Sequence, residues 1–540
     1  MDFQFADILE CLCDARPDGE ILVAGHQSIT RLALDQRANQ LAHHLARSGV
    51  CRGQHVGIYA HNRIEWVEGL IACWKIGAAA ININFRYVTD ELRVIWQQAD
   101  LVALIYERKF ANRVAELAAE FPGIETYVVL EDATPSETTG PGVSFEDAIE
   151  GESIERGFEP RSGDDLYLVY TGGTTGLPKG VLWRHEDWYF NVAHSLARGV
   201  ERPEDVSTLV DNPLGMRTLT LSPLMHGGGQ FPLMLTLFAG GVGLFPVSQH
   251  FDANEVLEIV ERHRATTVSI IGDAMGRPLA EAKLGASHER DTRSLLAIST
   301  GGALLTDPVR ALLREAFGKI FITGGIGSSE IGAAAKETRS AEASDGPRFR
   351  LEENTAVLDD DLRPIAPGSN AIGRIARKGH IPLGYYKDEA KTKETFPTDG
   401  DGTRWVIPGD FAKVETDGTF QLLGRGSACI NTGGEKVFPD EVENVVVGHP
   451  RVRNAAVVGI PDPDWMERIV ALVELEANIT TLELEDLQTH CREHLAGYKI
   501  PRALVITELV RTPAGKVDLA WAVGFAEESC RSAGSAPADA

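Results

Sequence analysis

One stretch constrains this chain more than any other: Tyr170-Thr171-Gly172-Gly173-Thr174-Thr175-Gly176-Leu177-Pro178-Lys179-Gly180-Val181. The apolar run Leu166 to Tyr170 ahead of it reads as a buried strand. Glycines let successive amide N–H groups turn inward around an anion. Threonine hydroxyls add donors and Lys179 adds a full positive charge, so the stretch reads as a polyphosphate cradle. It is not the common nucleotide loop of the NTPases, which needs Gly before the lysine and Ser or Thr after it. Here Pro178 precedes Lys179 and Gly180 follows.

The cradle stands out because the chain around it is acidic, with a formal net charge of -26 over 540 residues. That balance argues against a nucleic-acid partner, which would need basic surface to displace counterions. Hydrophobic content of 43% and charged content of 24% are those of a globular protein. The seven cysteines are scattered without zinc spacing, and an odd number disfavours a full disulfide framework, so a cytoplasmic setting is expected. The amino terminus lacks the order of a signal peptide. Phe231 to Val247 is uncharged but short and glycine-broken, so it reads as a buried helix–turn–strand and no transmembrane segment is expected.

Strand and helix patterns alternate along the chain, at His55–Ala60, Ile64–Ile76, Ala78–Ile83, Asp90–Gln98 and Leu101–Tyr106, and again from Thr218 to Thr323. Such alternation predicts an α/β sheet with helices on its faces. From Asp359 to Phe420 short strands and Gly/Pro/Asp turns take over. A boundary is expected near Gly424-Arg425-Gly426-Ser427, giving a large domain over 1–426 and a small one over 427–526. The tail, 527–540, reads as disordered.

Further motifs follow in order. Ser222-Pro223-Leu224-Met225-His226-Gly227-Gly228-Gly229 places one histidine before an apolar helix. Ser299-Thr300-Gly301-Gly302-Ala303 follows a strand, and Thr323-Gly324-Gly325-Ile326-Gly327-Ser328-Ser329-Glu330 ends in hydroxyls and a carboxylate. Gly409-Asp410, Leu423-Gly424-Arg425, Asn431-Thr432-Gly433-Gly434-Glu435-Lys436 and Pro513-Ala514-Gly515-Lys516 complete the set.

In this order the motifs resemble those of the adenylate-forming superfamily, over nearly the whole chain, and within it the acyl-CoA synthetases. The resemblance implies a large amino-terminal domain of α/β subdomains with a distorted β-barrel portion, plus a small mobile α+β domain. It also implies ATP, Mg²⁺ and coenzyme A, with a small-molecule carboxylic acid as substrate. Thr171, Gly172, Gly173, Thr174, Thr175, Gly176 and Lys179 would hold the phosphates. Gly301, Gly302 and Ala303 would border the purine. Gly325, Ile326, Gly327, Ser328 and Ser329 would flank the nucleotide, with Ser329 at the α-phosphate and Glu330 at the metal. Asp410 would hold the ribose and Arg425 the ribose or phosphate. Ser427 would be the hinge, and Gly433, Gly434, Glu435 and Lys436 would meet coenzyme A. Lys516 would be the catalytic lysine that swings in with the small domain, and His226 would orient the carboxylate or gate its pocket.

The chain departs from the family where Ile326 replaces an aromatic, Ile407-Pro408 replaces Arg-Thr, and Ser427 replaces Asp or Lys. The small residues Gly272, Ala274 and Gly276 are expected to make a roomy acyl pocket. With Trp183 after the phosphate loop, they resemble bacterial ligases for sterol side chains or long fatty acids. The alternatives are an adenylating enzyme with a non-CoA acceptor and an inactive nucleotide-binding regulator. The sequence leaves the oligomeric state open, a homodimer included.

Overall fold

The computed structural model describes residues 2–132, 140–171, 178–196, 199–211, 215–286, 290–303, 305–338, 348–352, 354–425, 429–432, 435–462, 466–495, 497–512 and 515–534, with backbone alone at 425, 431, 435, 436 and 532–534. The first sheet is parallel, in the order Ala79–Asn82, His55–Tyr59, Leu101–Glu107, Thr126–Leu130, Val143–Ser144. Its central strands are buried throughout, as sheets covered on both faces require. The helix Ile64–Lys75 lies on it, and against that helix packs Arg31–Arg47, begun by Thr30, whose Oγ1 accepts from the Ala33 N–H at 3.2 Å.

The second sheet has thirteen strands among the described residues and changes character partway across. Arg217–Thr220, Thr267–Ile270 and Ala297–Thr300 are parallel neighbours, each followed by a crossover. Phe321–Ser328 then serves two partners. Its first half, to Gly324, runs parallel to Ala297–Thr300, and from Gly325 it pairs antiparallel with Gly332–Glu337. The rest of the antiparallel part runs on through Arg348–Leu351, Thr419–Arg425, Asp410–Val414, Ile372–Arg377 and Thr355–Leu358. A separate three-stranded antiparallel sheet joins Leu166–Thr171, Lys179–Arg184 and Gly384–Tyr385.

The small domain has its own sheet, built on the long antiparallel pair Val452–Asp462 and Met466–Leu475, with helices Pro439–Val447, Leu484–Arg492 and Leu519–Gly534. The last helix corrects the expected disordered tail. Glu527 lies inside it, and Ala522 and Ala526, both fully buried one turn apart, seat it on the sheet. Residues 535–540 lie outside the described residues. Phe231 to Val247 is the end of the helix Gly227–Phe238 followed by the strand Val242–Phe245. Among the described residues no helix is long and apolar enough to cross a membrane.

Candidate active site

Four neighbouring parallel strands end level with one another. Thr220 pairs with Ser269, Ile270 with Thr300, and Thr300 with Gly324. The segments holding His226, Gly272 and Gly301-Gly302 therefore leave the sheet along one edge, the carboxyl edge where open α/β sheets bind ligands. Beside them Gly325–Ser328 runs on past that edge into the antiparallel part before the Ser328–Glu330 turn. Gly302, at φ +79°, turns the chain there in a conformation that side chains disfavour. A β-carbon at Gly302 would stand 3.5 Å from Lys516 Cε and 4.0 Å from its Nζ. A residue from the far end of the sequence is thus laid over this turn.

Lys516 is carried by a tight hairpin in which Arg511 bridges Val517 and the Gly515 N–H donates to Thr512 O at 2.8 Å. It also lies within electrostatic reach of His226, as does Arg86. Burial first, then these two cations, push the His226 imidazole down to about 4. His226 is therefore neutral near pH 7, and its Nε2 is buried without a hydrogen-bond partner among the described residues. Arg86 has a buried Nη1 in the same condition and a guanidinium 4.9 Å from the Phe85 ring centroid. Sequence reasoning passed over Arg86. An arginine in Asn84-Phe85-Arg86 carries no pattern of its own, and only the fold brings it beside His226.

The Ser328–Glu330 turn is held from several sides. Ser328 Oγ accepts from the Glu330 and Ile331 N–H groups at 3.3 and 3.4 Å. Trp183 Nε1 donates to Ser329 O at 2.8 Å. A β-carbon at Gly227 would come within 2.8 Å of Ser329 Oγ, so the helix start and this hydroxyl touch. Tyr385 donates its hydroxyl to Glu330 Oε1 at 3.2 Å, and Lys179 Nζ lies 5.6 Å from the same ring centroid and 3.3 Å from Asp388 Oδ2. Asn191, within an irregular helix over Tyr189–Ala193, accepts from the Ala333 N–H and donates to Ile331 O and His380 O. Asn82 bridges Tyr170 O, Tyr170 N–H and Met225 O, joining the strand before the cradle to the His226 segment. Tyr385, Asn191 and Asn82 were not foreseen, because single polar residues in apolar patterns give no local signal.

Several expected residues stand differently. Trp183 is fully buried, and its Nε1 clamps Ser329 through the backbone oxygen. Gly276 faces the next helix: a β-carbon there would meet Leu305, Val309 and Ile270 at 2.9–3.3 Å, so its smallness serves close packing. Gly272, at φ +49°, opens its helix and donates to Thr300 Oγ1, while Ala274 is half-buried on the same turn. Ile326 packs against the core of the antiparallel sheet with Phe349 and Phe420, which explains an aliphatic residue there. Ile407 is buried with Trp405 and Leu358, a core role that accounts for its departure from the usual pair.

Asp410 sits directly across from Arg425 in the antiparallel register. Thr171 ends its strand opposite Lys179, and Gly301 and Ala303 flank the Gly302 turn. Gly325 and Gly327 alternate along the shared strand. Gly172, Gly173, Thr174, Thr175 and Gly176, with Ser427, Gly433 and Gly434, lie outside the described residues. Glu435 and Lys436 form one strand of a hairpin with Asn431 and Thr432.

Loops gathered along one sheet edge, with a lysine delivered to them by a second domain, are the arrangement of the adenylate-forming enzymes. The chain belongs to the AMP-binding enzyme family: residues 10–386 match that family's model, and residues 441–516 match the model of the AMP-binding enzyme C-terminal domain. It is 42% identical to a medium/long-chain-fatty-acid–CoA/3-oxocholest-4-en-26-oate–CoA ligase of Mycolicibacterium smegmatis, across 98% of this chain and 97% of that one. A 3-oxocholest-4-en-26-oate–CoA ligase of Rhodococcus rhodochrous is also 42% identical, across 97% and 96%. The fold matches the crystal structure of an anthranilate CoA ligase in complex with anthranoyl-AMP, with a TM-score of 0.83, 25% identity, and coverage of 97% and 98%.

Proposed function

We propose that this chain is an ATP-dependent, AMP-forming acyl-CoA ligase whose acid is a long-chain or steroid side-chain carboxylate. The observation that carries the reaction is Lys516 laid over the Gly302 turn beside a neutral His226. The substrate class rests on the names of the relatives above.

In the first step a carboxylate oxygen attacks the α-phosphorus of ATP and the bond to pyrophosphate breaks, leaving an acyl-adenylate. The nucleophile is already ionised, so no general base is required. Catalysis is positioning and charge stabilisation. Lys516 offsets the charge that builds on the carboxylate and α-phosphate oxygens. His226, being neutral, offers a hydrogen bond and no charge, while Arg86 supplies a further cation at the same place. Ser329 faces the α-phosphate, Lys179 the outer phosphates and Asp410 the ribose. In the second step the coenzyme A sulfur attacks the adenylate carbonyl and AMP leaves. Rotation of the small domain about Ser427 would bring Gly433, Gly434, Glu435 and Lys436 to the pantetheine arm.

Glu330 suits magnesium. Its carboxylate has no cationic partner among the described residues, and Tyr385 fixes one of its oxygens. A bound magnesium ion would neutralise phosphate charge there. A cytoplasmic setting goes with this reading, the seven cysteines forming no disulfide among the described residues.

The test is ATP- and CoA-dependent thioester formation across short, medium and long fatty acids and steroid side-chain acids. Thioester from bulky acids, reduced about a hundredfold or more by Lys516→Ala, is expected. Pyrophosphate release without thioester would assign another acceptor, and neither product from any acid would overturn the reading.

A further inference from the structure

The helix Gly272–Leu284 begins at the site and runs away from it beneath the small domain. Asp273, Arg277 and Glu281 recur at intervals of four and so share one face. The small domain meets that face with the opposite charges in the same order. Arg277 Nη1 lies 3.2 Å from Glu476 Oε1, and Arg453 Nη2 lies 2.8 Å from Glu281 Oε2. Asp273 is within electrostatic reach of Arg511, and it also accepts from the Thr306 N–H and hydroxyl at 2.8 and 2.7 Å. Helix charges running minus, plus, minus thus face plus, minus, plus.

We infer that Arg453 and Glu281, with Glu476 and Arg277, are positioning residues that seat Lys516 over the Gly302 turn for adenylate formation. This rests on the reaction proposed above and goes beyond it by naming what holds the small domain in this orientation.

The contacts reach Lys516 through rigid parts. Arg453 and Glu476 stand at the same end of the long antiparallel pair, where Val452 lies opposite Leu475. Two residues before Glu476, the Glu474 carboxylate accepts from the Leu509 N–H at 2.7 Å. Leu509 leads into the Arg511–Val517 hairpin that carries Lys516. A shift of the sheet end relative to the helix therefore moves the lysine with it. Rotation of the small domain for the second step must part both ion pairs. They act in one half of the cycle only.

Glu281 and Arg453 are exposed enough that reversing either leaves the core intact, with side-chain exposures of 41% and 33%. Two half-reactions are measured in Glu281→Arg, Arg453→Glu and the doubly reversed chain: pyrophosphate release from acid and ATP without coenzyme A, and thioester formation from supplied acyl-adenylate and coenzyme A. Each single reversal should slow the first about three- to tenfold and leave the second unchanged or faster. The double reversal should restore the first to within about twofold. Amide exchange of the 277–284 segment in the free protein should rise in each single reversal and return in the double. Equal slowing of both half-reactions, no slowing of either, or no recovery in the double reversal would overturn the inference. If the unaltered chain made no adenylate, the proposed reaction would fall, and unchanged amide exchange would then overturn the docking as well.

Discussion

His226 and Gly227, adjacent in sequence, act by different physics. The His226 side chain is held neutral by burial and by the fields of Arg86 and Lys516. Its folded value near 4 lies below the ordinary 6.5, so the unfolded chain takes up the proton first as pH falls. The stability this group contributes is complete above 6.5 and is lost between 6.5 and 4. We expect no inflection from His226 in the adenylation rate between pH 6 and 8, and an imidazole titration near 4 by NMR. A titration near 6.5 would contradict the electrostatics. Gly227 matters for space. Alanine there would press on Ser329 Oγ, and Trp183 prevents the Ser329 backbone from retreating. Gly227→Ala should slow adenylation about ten- to a hundredfold with a melting temperature close to that of the parent, read by pyrophosphate release and calorimetry. At this scale the site was partly legible. Lys516, Glu330 and Ser329 stand in ordered motifs, whereas Arg86 and Tyr385 belong to no pattern and become site residues only by proximity.

Elements position the Ser328–Glu330 turn through contacts distant in sequence. Asn191, buried in the Tyr189–Ala193 segment, makes three hydrogen bonds to the strand after Glu330 and to His380. Irregular helical turns of this kind often mark functional places. Removing the amide leaves one donor and two acceptors unsatisfied, so Asn191→Ala should cost about 3 kcal/mol in denaturant unfolding. Activity should fall as well, because Ile331 directly follows Glu330. Elements with strong periodicity were legible: the strands His55–Tyr59, Ala79–Asn82 and Leu101–Glu107 and the helices Ile64–Lys75 and Thr89–Ala99 all fall within a few residues of their expected places. The terminal helix Leu519–Gly534 was not. Its outer half is Glu-Glu-Ser-Cys-Arg-Ser-Ala-Gly, a composition shared with disordered tails. Helical order there is inherited from the buried Ala522–Ala526 turn and an Arg531–Glu527 ion pair at 2.6 Å. A small or a large residue near a site reads the same in sequence whether it faces a ligand or a neighbouring element, so the packing of Gly276 on Val309 and the Trp183 bond to Ser329 O carried no signal there.

Across the whole molecule, the amino-terminal helix Phe5–Ala15 is bound to the large domain by a buried ionic network. Lys75, fully buried, contacts Glu10 and Asp35 at 2.6 Å each, and Arg161 and Arg156 reach the same carboxylates. Burial alone would raise Glu10, but Arg161 and Lys75 outweigh it and hold its carboxyl at about 2. A depressed carboxylate contributes stability above its ordinary value near 4.5, and that contribution is lost as pH falls toward 2. Unfolding followed by circular dichroism should therefore show stability declining through this window. Lys75→Met should lower stability by about 3 kcal/mol at pH 7, since it removes the buried cation between Glu10 and Asp35 and leaves them only Arg161 and Arg156. No stability loss in either measurement would mean the network is not coupled to folding.

The strand Phe321–Ser328 joins the parallel and antiparallel parts of one sheet. A chain severed just before Phe321 would leave one fragment with an unpaired parallel edge and the other with the strand that fits it. Such halves are built for reassembly, and separately produced pieces should recover activity on mixing. A cut after Gly324 would instead divide the shared strand itself and leave neither piece with a whole partner for the other. The point of greatest continuity in this backbone is thus also the point at which it tolerates interruption least.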